Sequence, residues 1–150
     1  MELILWRHAD AEDGTPDFER KLTAKGIKQA THMAKWLRAR IAKDAVVLVS
    51  PARRAQQTAH ALTADFKTVP EVGLAASAEG VLLAAGWPDS AATVVVVGHQ
   101  PTLGEAAALL LTGEKEPWSV KKGAVVWVAY RSDAMPARTQ LRAAISPDLL

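Results

Sequence analysis

The sequence predicts an α/β fold: a three-layer α/β/α sandwich around a mostly parallel central sheet. Three observations carry that expectation. Leu3-Ile4-Leu5-Trp6, Val46-Val47-Leu48-Val49 and Val94-Val95-Val96-Val97 are short apolar runs, dense enough for strands buried on both faces. Segments with apolar residues spaced by three and four follow each run, as amphipathic helices require. Each run also ends in polar or reactive side chains: Arg7-His8, then Ser50-Pro51 with Arg53 and Arg54 beyond, then Gly98-His99-Gln100-Pro101. The carboxyl ends of parallel strands lie on one sheet edge, so His8, Arg54 and His99 are expected to meet there.

Residues 9 to 22 are polar and contain Gly14 and Pro16, so they read as a loop. Thr23 is placed to N-cap a helix whose apolar face is Ile27, Ala30, Ala34, Leu37 and Ile41. Lys25, Lys28, Lys35, Arg38 and Lys43 form its solvated side. After the strand over 45 to 49, Ser50 reads as an N-cap and Pro51 as the first helical position. Ala55, Ala59, Leu62 and Phe66 mark the buried face of that helix. Arg53 and Arg54 fall in its first turn, where the helix dipole disfavours cations and favours an anion. Thr68-Val69 is a short strand stopped by Pro70. Glu79 to Ala85 forms a short helix closed by Gly86. Residues 93 to 97 are a β-branched strand. Pro101 or Thr102 opens a helix through Leu103, Ala107, Leu110 and Leu111, which Gly113 ends. Ala124 to Tyr130 is a strand, paired as a hairpin with residues 138 to 145 across an Asp133 to Pro136 turn.

Composition narrows the function. A chain of 150 residues fits one domain spanning residues 1–150. With no cysteine there is no disulfide, thiolate metal site or cysteine nucleophile. The four apolar residues near the start are too few for a signal-peptide core, and no run approaches the roughly 18 of a membrane span. A soluble, cytoplasmic protein is the expectation. The net charge of +2, with scattered cations, lacks the basic stripe of a nucleic-acid binder. Asp10, Glu12 and Asp13 are close in sequence, but no second acidic cluster completes a metal site, so neither metal nor cofactor is expected.

The three strand ends suit a phosphoryl group. Guanidinium groups offer forked donors to its oxygens. Without a metal to activate water, His8 is left as a covalent nucleophile, kept neutral by the neighbouring cations.

Arg7-His8-Ala9, Ser50-Pro51-Ala52-Arg53-Arg54-Ala55-Gln56-Gln57-Thr58-Ala59 and Gly98-His99 resemble the motifs of the histidine phosphatase superfamily, with its phosphoglycerate-mutase-like fold. Leu22-Thr23, Gly26 and Gln29-Ala30 resemble that family's first helix. The resemblance implies phosphate binding by Arg7, nucleophilic attack by His8, a second phosphate-binding arginine at Arg54, and His99 as donor to the equatorial oxygens. Arg53 falls on an unspecified position of the motif and reads as a rim or surface cation. Two departures stand out. Ala9 replaces a glycine. The general acid of many members falls near Leu74 to Ala76, where there is no carboxylate; Glu79 and Glu71 are the nearest substitutes. Short length and a missing acid resemble the phosphohistidine phosphatases of the superfamily, which implies a phosphorylated protein as partner. A small-molecule phosphomonoesterase using Glu79 or Glu71, and a non-catalytic phosphate-recognition module, are the alternatives. Asp10 and Glu12 read as loop acids, with Asp10 near enough to orient a group in the pocket. His32 and His60 have no partner motif. Trp36 and Trp127 read as packing, Trp87 or Trp118 as rim.

Overall fold

The computed structural model describes residues 1–135 and 138–150. Among these residues the chain forms a sheet in the order β3-β2-β4-β1-β5-β6. The strands are β1 (Glu2–Arg7), β2 (Val46–Val49), β3 (Lys67–Thr68), β4 (Thr93–Gly98), β5 (Val125–Arg131) and β6 (Arg138–Ile145). β3, β2, β4 and β1 are parallel neighbours, whereas β5 and β6 run antiparallel. The helices are α1 (Ala24–Arg38), α2 (Arg53–Leu62), α3 (Ala78–Ala84) and α4 (Thr102–Thr112).

The period of two along β1 creates the layers. Leu3 and Leu5 point into a core shared with Ala78 and Val81 of α3 and Leu103, Ala106 and Ala107 of α4. Ile4 and Trp6 point the other way, against Met33, Ala34 and Leu37 of α1 and Ala55 and Ala59 of α2. All four β1 side chains are fully buried. Burying each side chain of this size contributes about 1.5–3 kcal/mol, so the central strand is a principal anchor.

Local chemistry sets the element ends. Thr23 Oγ1 accepts from Gly26 N–H and caps α1, as its sequence indicates. The buried face of α1 is shifted from the expected one: Met33 is buried, Ile27 is 54% exposed, and Ile41 lies beyond the helix. Ser50 is not the cap of α2. That helix begins at Arg53 after Ala52, and the Ser50 hydroxyl is used elsewhere. Ser77 Oγ accepts from Gly80 N–H and starts α3 one residue before the expected Glu79. Gly113, at φ 81°, closes α4 as its left-handed cap. The hairpin of β5 and β6 forms, though Pro136 of its turn lies outside the described residues.

The topology makes a crevice. β1 and β4 are adjacent, with Arg7 opposite Gly98. The chain leaves β1 for α1 on one sheet face and leaves β4 for α4 on the other. Loops diverging from neighbouring strand ends open a ligand-sized gap there. No helix among the described residues is long and apolar enough to cross a membrane.

Candidate active site

His8 and His99 follow the paired ends of β1 and β4, and their ring centroids are 5.2 Å apart. Arg54, in the first turn of α2, reaches the same point: its Nε–H donates to His8 Nε2 at 3.2 Å. Arg7 closes the group, with one arm donating to the Val120 carbonyl at 2.8 Å. The four residues expected to meet do so, and His8, Arg54 and His99 are each buried.

Hydrogen bonds define the imidazoles. His8 Nδ1 lies 2.7 Å from the Ala9 carbonyl oxygen, which can only accept. The ring proton therefore sits on Nδ1, and Nε2 presents a lone pair toward Arg54. Thr58 holds that arrangement from behind: its Oγ1 accepts from Ala9 N–H at 3.0 Å and donates to the Arg54 carbonyl at 2.7 Å. At His99, Nε2 is 2.7 Å from Ser50 Oγ, which also accepts from Ala52 N–H. A serine hydroxyl can donate or accept; in the tautomer where Ser50 donates to Nε2, the His99 proton sits on Nδ1 and can serve an oxyanion.

Two buried atoms in this cluster lack any partner: Arg7 Nε and His99 Nδ1. Unpaired buried donors are costly, about 1–3 kcal/mol each. An oxyanion placed among them would satisfy both. Electrostatics point the same way. Burial pushes the His8 pKa down to about 3; the bond to Ala9 opposes this, and His99, Arg54 and Arg7 add to it. Burial likewise pushes His99 down to about 4, helped by Arg54 and Arg7 and opposed by Asp17. Burial and then Arg54 lower Arg7. At neutral pH the cluster holds two neutral imidazoles between two guanidinium groups, and the His8 Nε2 lone pair accepts from Arg54 Nε–H.

A family model for the histidine phosphatase superfamily (branch 1) matches residues 3–75. The phosphohistidine phosphatase SixA of Escherichia coli K12 is 33% identical over 130 residues, covering 78% of each chain. The chain belongs to the histidine phosphatase superfamily. That membership together with the likeness to SixA in sequence and structure makes it a phosphatase. An uncharacterized protein of Picosynechococcus is 35% identical over 152 residues, covering 93% of this chain and 91% of its own. In structure, the protein histidine phosphatase SixA complexed with tungstate superposes with a TM-score of 0.82 at 28% identity, covering 99% of both chains.

The motif residues outside the cluster have physical work to do. Gly26 packs so closely on the loop after His8 that a Cβ would fall 1.9 Å from the Asp10 carbonyl oxygen. Gln29 accepts from Asp10 N–H at 2.9 Å, and Gln57 accepts from Leu22 N–H at 2.7 Å. These contacts bind the loop after His8 to α1 and α2. The Ala9 methyl, where the family has glycine, is fully buried against Leu22 and Ala30.

Other candidates stand apart from the cluster. The Asp10 carboxylate accepts from Lys122 and Thr23 Oγ1, each at 2.8 Å, so it braces the loop. Arg53 is exposed and lines a surface cleft with Glu12 and Asp13. Glu79 accepts from Lys115 at 3.0 Å on the surface, and none of its hydrogen bonds or ion pairs reaches the histidines. Its own backbone N–H and then Lys115 lower its pKa. Glu71 is an exposed residue of the turn Pro70–Val72. His60 packs on Phe66, Trp36 on Trp127, and Trp87 on Tyr130, each edge to face. Trp118 is 37% exposed.

Sequence reasoning missed Ser50 as a partner of His99, Thr58 as a brace, and above all Asp17. The Asp17 carbonyl accepts from Arg54 Nη1 at 2.8 Å, and its Oδ2 accepts from Arg54 Nη2 at 3.1 Å. Asp17 sits in a short turn (Asp17–Glu19) of the loop that reads as featureless.

Proposed function

We propose that this protein is a single-domain, cytoplasmic, metal-independent phosphatase that dephosphorylates phosphohistidine in a protein through a covalent intermediate on His8. The observation that carries this reading is His8 Nε2, bonded to Arg54 Nε–H, beside two buried nitrogens, Arg7 Nε and His99 Nδ1, that have no partner. Arg54 Nε–H turns from His8 Nε2 to a phosphoryl oxygen, and the released Nε2 lone pair attacks phosphorus in line while Nδ1–H stays bonded to Ala9. Arg7, Arg54 and His99 hold the equatorial oxygens, where preorganised donors are worth most. Water then attacks the phosphorylated His8, and the electron pair of the P–N bond returns to Nε2. The tungstate in the similar SixA structure, a tetrahedral oxyanion, fits this role for the pocket. Among the described residues no group of three or more His, Asp or Glu side chains is arranged to hold a metal ion.

The choice of phosphohistidine rests on the leaving group. An alkoxide must be protonated as it departs, and a positioned acid contributes typically about 10²–10⁴-fold. The expected acid segment, Leu74 to Ala76, holds no carboxylate, and Glu79 is engaged with Lys115. An imidazole leaves without that help once its ring is protonated. A protein substrate also suits the rim. Exposed Phe18 follows Asp17, exposed Leu74 lies two residues from Val72, whose carbonyl packs near Gly98, and half-exposed Trp118 accepts from Gln100 beside His99.

The test is a panel of phosphohistidine protein, para-nitrophenyl phosphate and a sugar phosphate at equal enzyme concentration, with His8→Ala as control. Phosphohistidine should turn over fastest, and His8→Ala should abolish turnover of all three. A sugar phosphate cleaved as fast as phosphohistidine would refute the substrate assignment. Turnover by His8→Ala would refute the nucleophile.

A further inference from the structure

An arginine that binds phosphate needs no carboxylate, yet Arg54 has one. Asp17 Oδ2 lies 3.1 Å from Arg54 Nη2, and Asp17 Oδ1 lies 3.0 Å from Arg20 Nη1. The line of contacts runs outward from buried His8 Nε2 through buried Arg54 to the Asp17 side chain, which is 55% exposed. Asp17 is thus an anion at the mouth of a site built for an anion. Such a placement weakens phosphate binding unless the charge serves another group of the substrate.

That group is the leaving group. In-line attack by His8 expels it on the side of phosphorus away from Nε2, toward the opening. In phosphohistidine it is an imidazole, and its state decides the reaction. If the ring nitrogen not bonded to phosphorus carries a proton, the ring departs as neutral imidazole. If it does not, the ring must depart as an anion. Resting on the phosphohistidine reading above, we propose that Asp17 is a specificity-determining residue that accepts a hydrogen bond from the distal N–H of the leaving imidazole and keeps that ring protonated as it departs. The step balances. The His8 Nε2 lone pair forms the new P–N bond. The old P–N bond breaks, and its pair returns to the substrate ring, which keeps its distal proton. His8 keeps its own proton on Nδ1.

The carboxylate is equipped for this. Each oxygen accepts one bond from an arginine and retains a second lone pair. Arg20 and then Arg54 lower its pKa, so it stays ionised. Its charge reaches the pocket, since it raises His99 against the arginines. The groups facing it are Arg20, which also lies 4.0 Å from Asp13, and Arg54, with neutral His8 and His99 behind. Arg53, Lys21, Glu12, Asp13 and Glu19 line a surface cleft together with Arg20.

The experiment compares wild type, Asp17→Asn and Asp17→Glu on phosphoimidazole and on para-nitrophenyl phosphate across pH 5–9. Asn removes the charge and keeps an acceptor oxygen for one of the two arginines. An opposite charge at hydrogen-bond distance moves a pKa by about 1–3 units, and exposure puts Asp17 at the low end, about one unit. The substrate ring should therefore lose its proton about one unit lower in Asp17→Asn. On phosphoimidazole the ratio of variant to wild type should be about tenfold lower above both breaks than below both. On para-nitrophenyl phosphate, whose phenolate leaves unprotonated, the ratio of variant to wild type should not change with pH. Asp17→Glu should keep the wild-type break. An alkaline break at the same pH in wild type and Asp17→Asn would overturn the proposal. So would a parallel, pH-independent loss on both substrates, which would make Asp17 only a clamp on Arg54. Failure of the wild type to cleave phosphoimidazole or phosphohistidine would instead sink the substrate reading, and this inference with it.

Discussion

Acid should destabilise this protein through two histidines. His8, pushed to about 3, and His99, pushed to about 4, both regain an ordinary pKa near 6.5 when the chain unfolds. Between those values the unfolded state binds more protons than the folded state, so stability falls as pH falls through 6.5. At pH 5 the unfolded imidazole is protonated about 30-fold over its neutral form while the folded one stays largely neutral. At 1.36 kcal/mol per pH unit, that is about 2 kcal/mol for each histidine relative to pH 7, or about 4 kcal/mol together. The lowered carboxylates Asp10 and Asp17 lose their stabilising contribution only as pH drops below about 4, outside this window. Urea unfolding at pH 7 and pH 5, in buffer without oxyanions, measures the difference. His99→Gln should lose about 2 kcal/mol less than wild type over the same interval, whatever its absolute stability. Equal losses in wild type and variant would refute the claim that His99 is buried neutral.

Two substitutions test the geometry more simply. Arg54→Ala should lower kcat/KM about 10²–10³-fold, the usual effect of deleting a transition-state donor, whereas Arg53→Ala, on an exposed position, should lose less than tenfold. The reverse order in a steady-state assay would misplace the second arginine of the motif. Gly26→Ala should destabilise the fold by about 1–3 kcal/mol, because its Cβ would overlap the Asp10 carbonyl and only a backbone shift relieves that. A urea midpoint equal to that of wild type would show that the loop after His8 yields freely.

The sheet was legible because burial on both faces leaves a periodic mark. β1, β2 and β4 are unbroken apolar runs, and two of their ends are occupied by His8 and His99. Their convergence follows from parallel topology alone. Helix faces were less legible where a small residue does the packing. Ile27 looks like core but faces water, since Gly26 beside it takes the buried place against Asp10. Ser50 misled for a related reason. A serine before proline at a strand end has the local chemistry of a cap, but its hydroxyl answers to His99, 49 residues away, and no local pattern encodes that.

Asp17 shows where reading by spacing ends. Its neighbours Pro16, Phe18 and Glu19 carry no period, and its partners Arg20 and Arg54 lie 3 and 37 residues distant. A clue was nonetheless present in the charges. Two arginines in the first turn of α2, without an acid in that turn, are unfavourable for a helix N-terminus. That imbalance invites a bound anion. In the folded protein part of it is met by Asp17, an anion of the chain itself, bonded to Arg54 through both its carbonyl and its carboxylate. A cation placed against the dipole therefore calls for a search of the loops for a resident acid before all of the missing charge is assigned to substrate. Here the resident acid lies at the mouth of the site, and that position gives it a role in choosing what leaves.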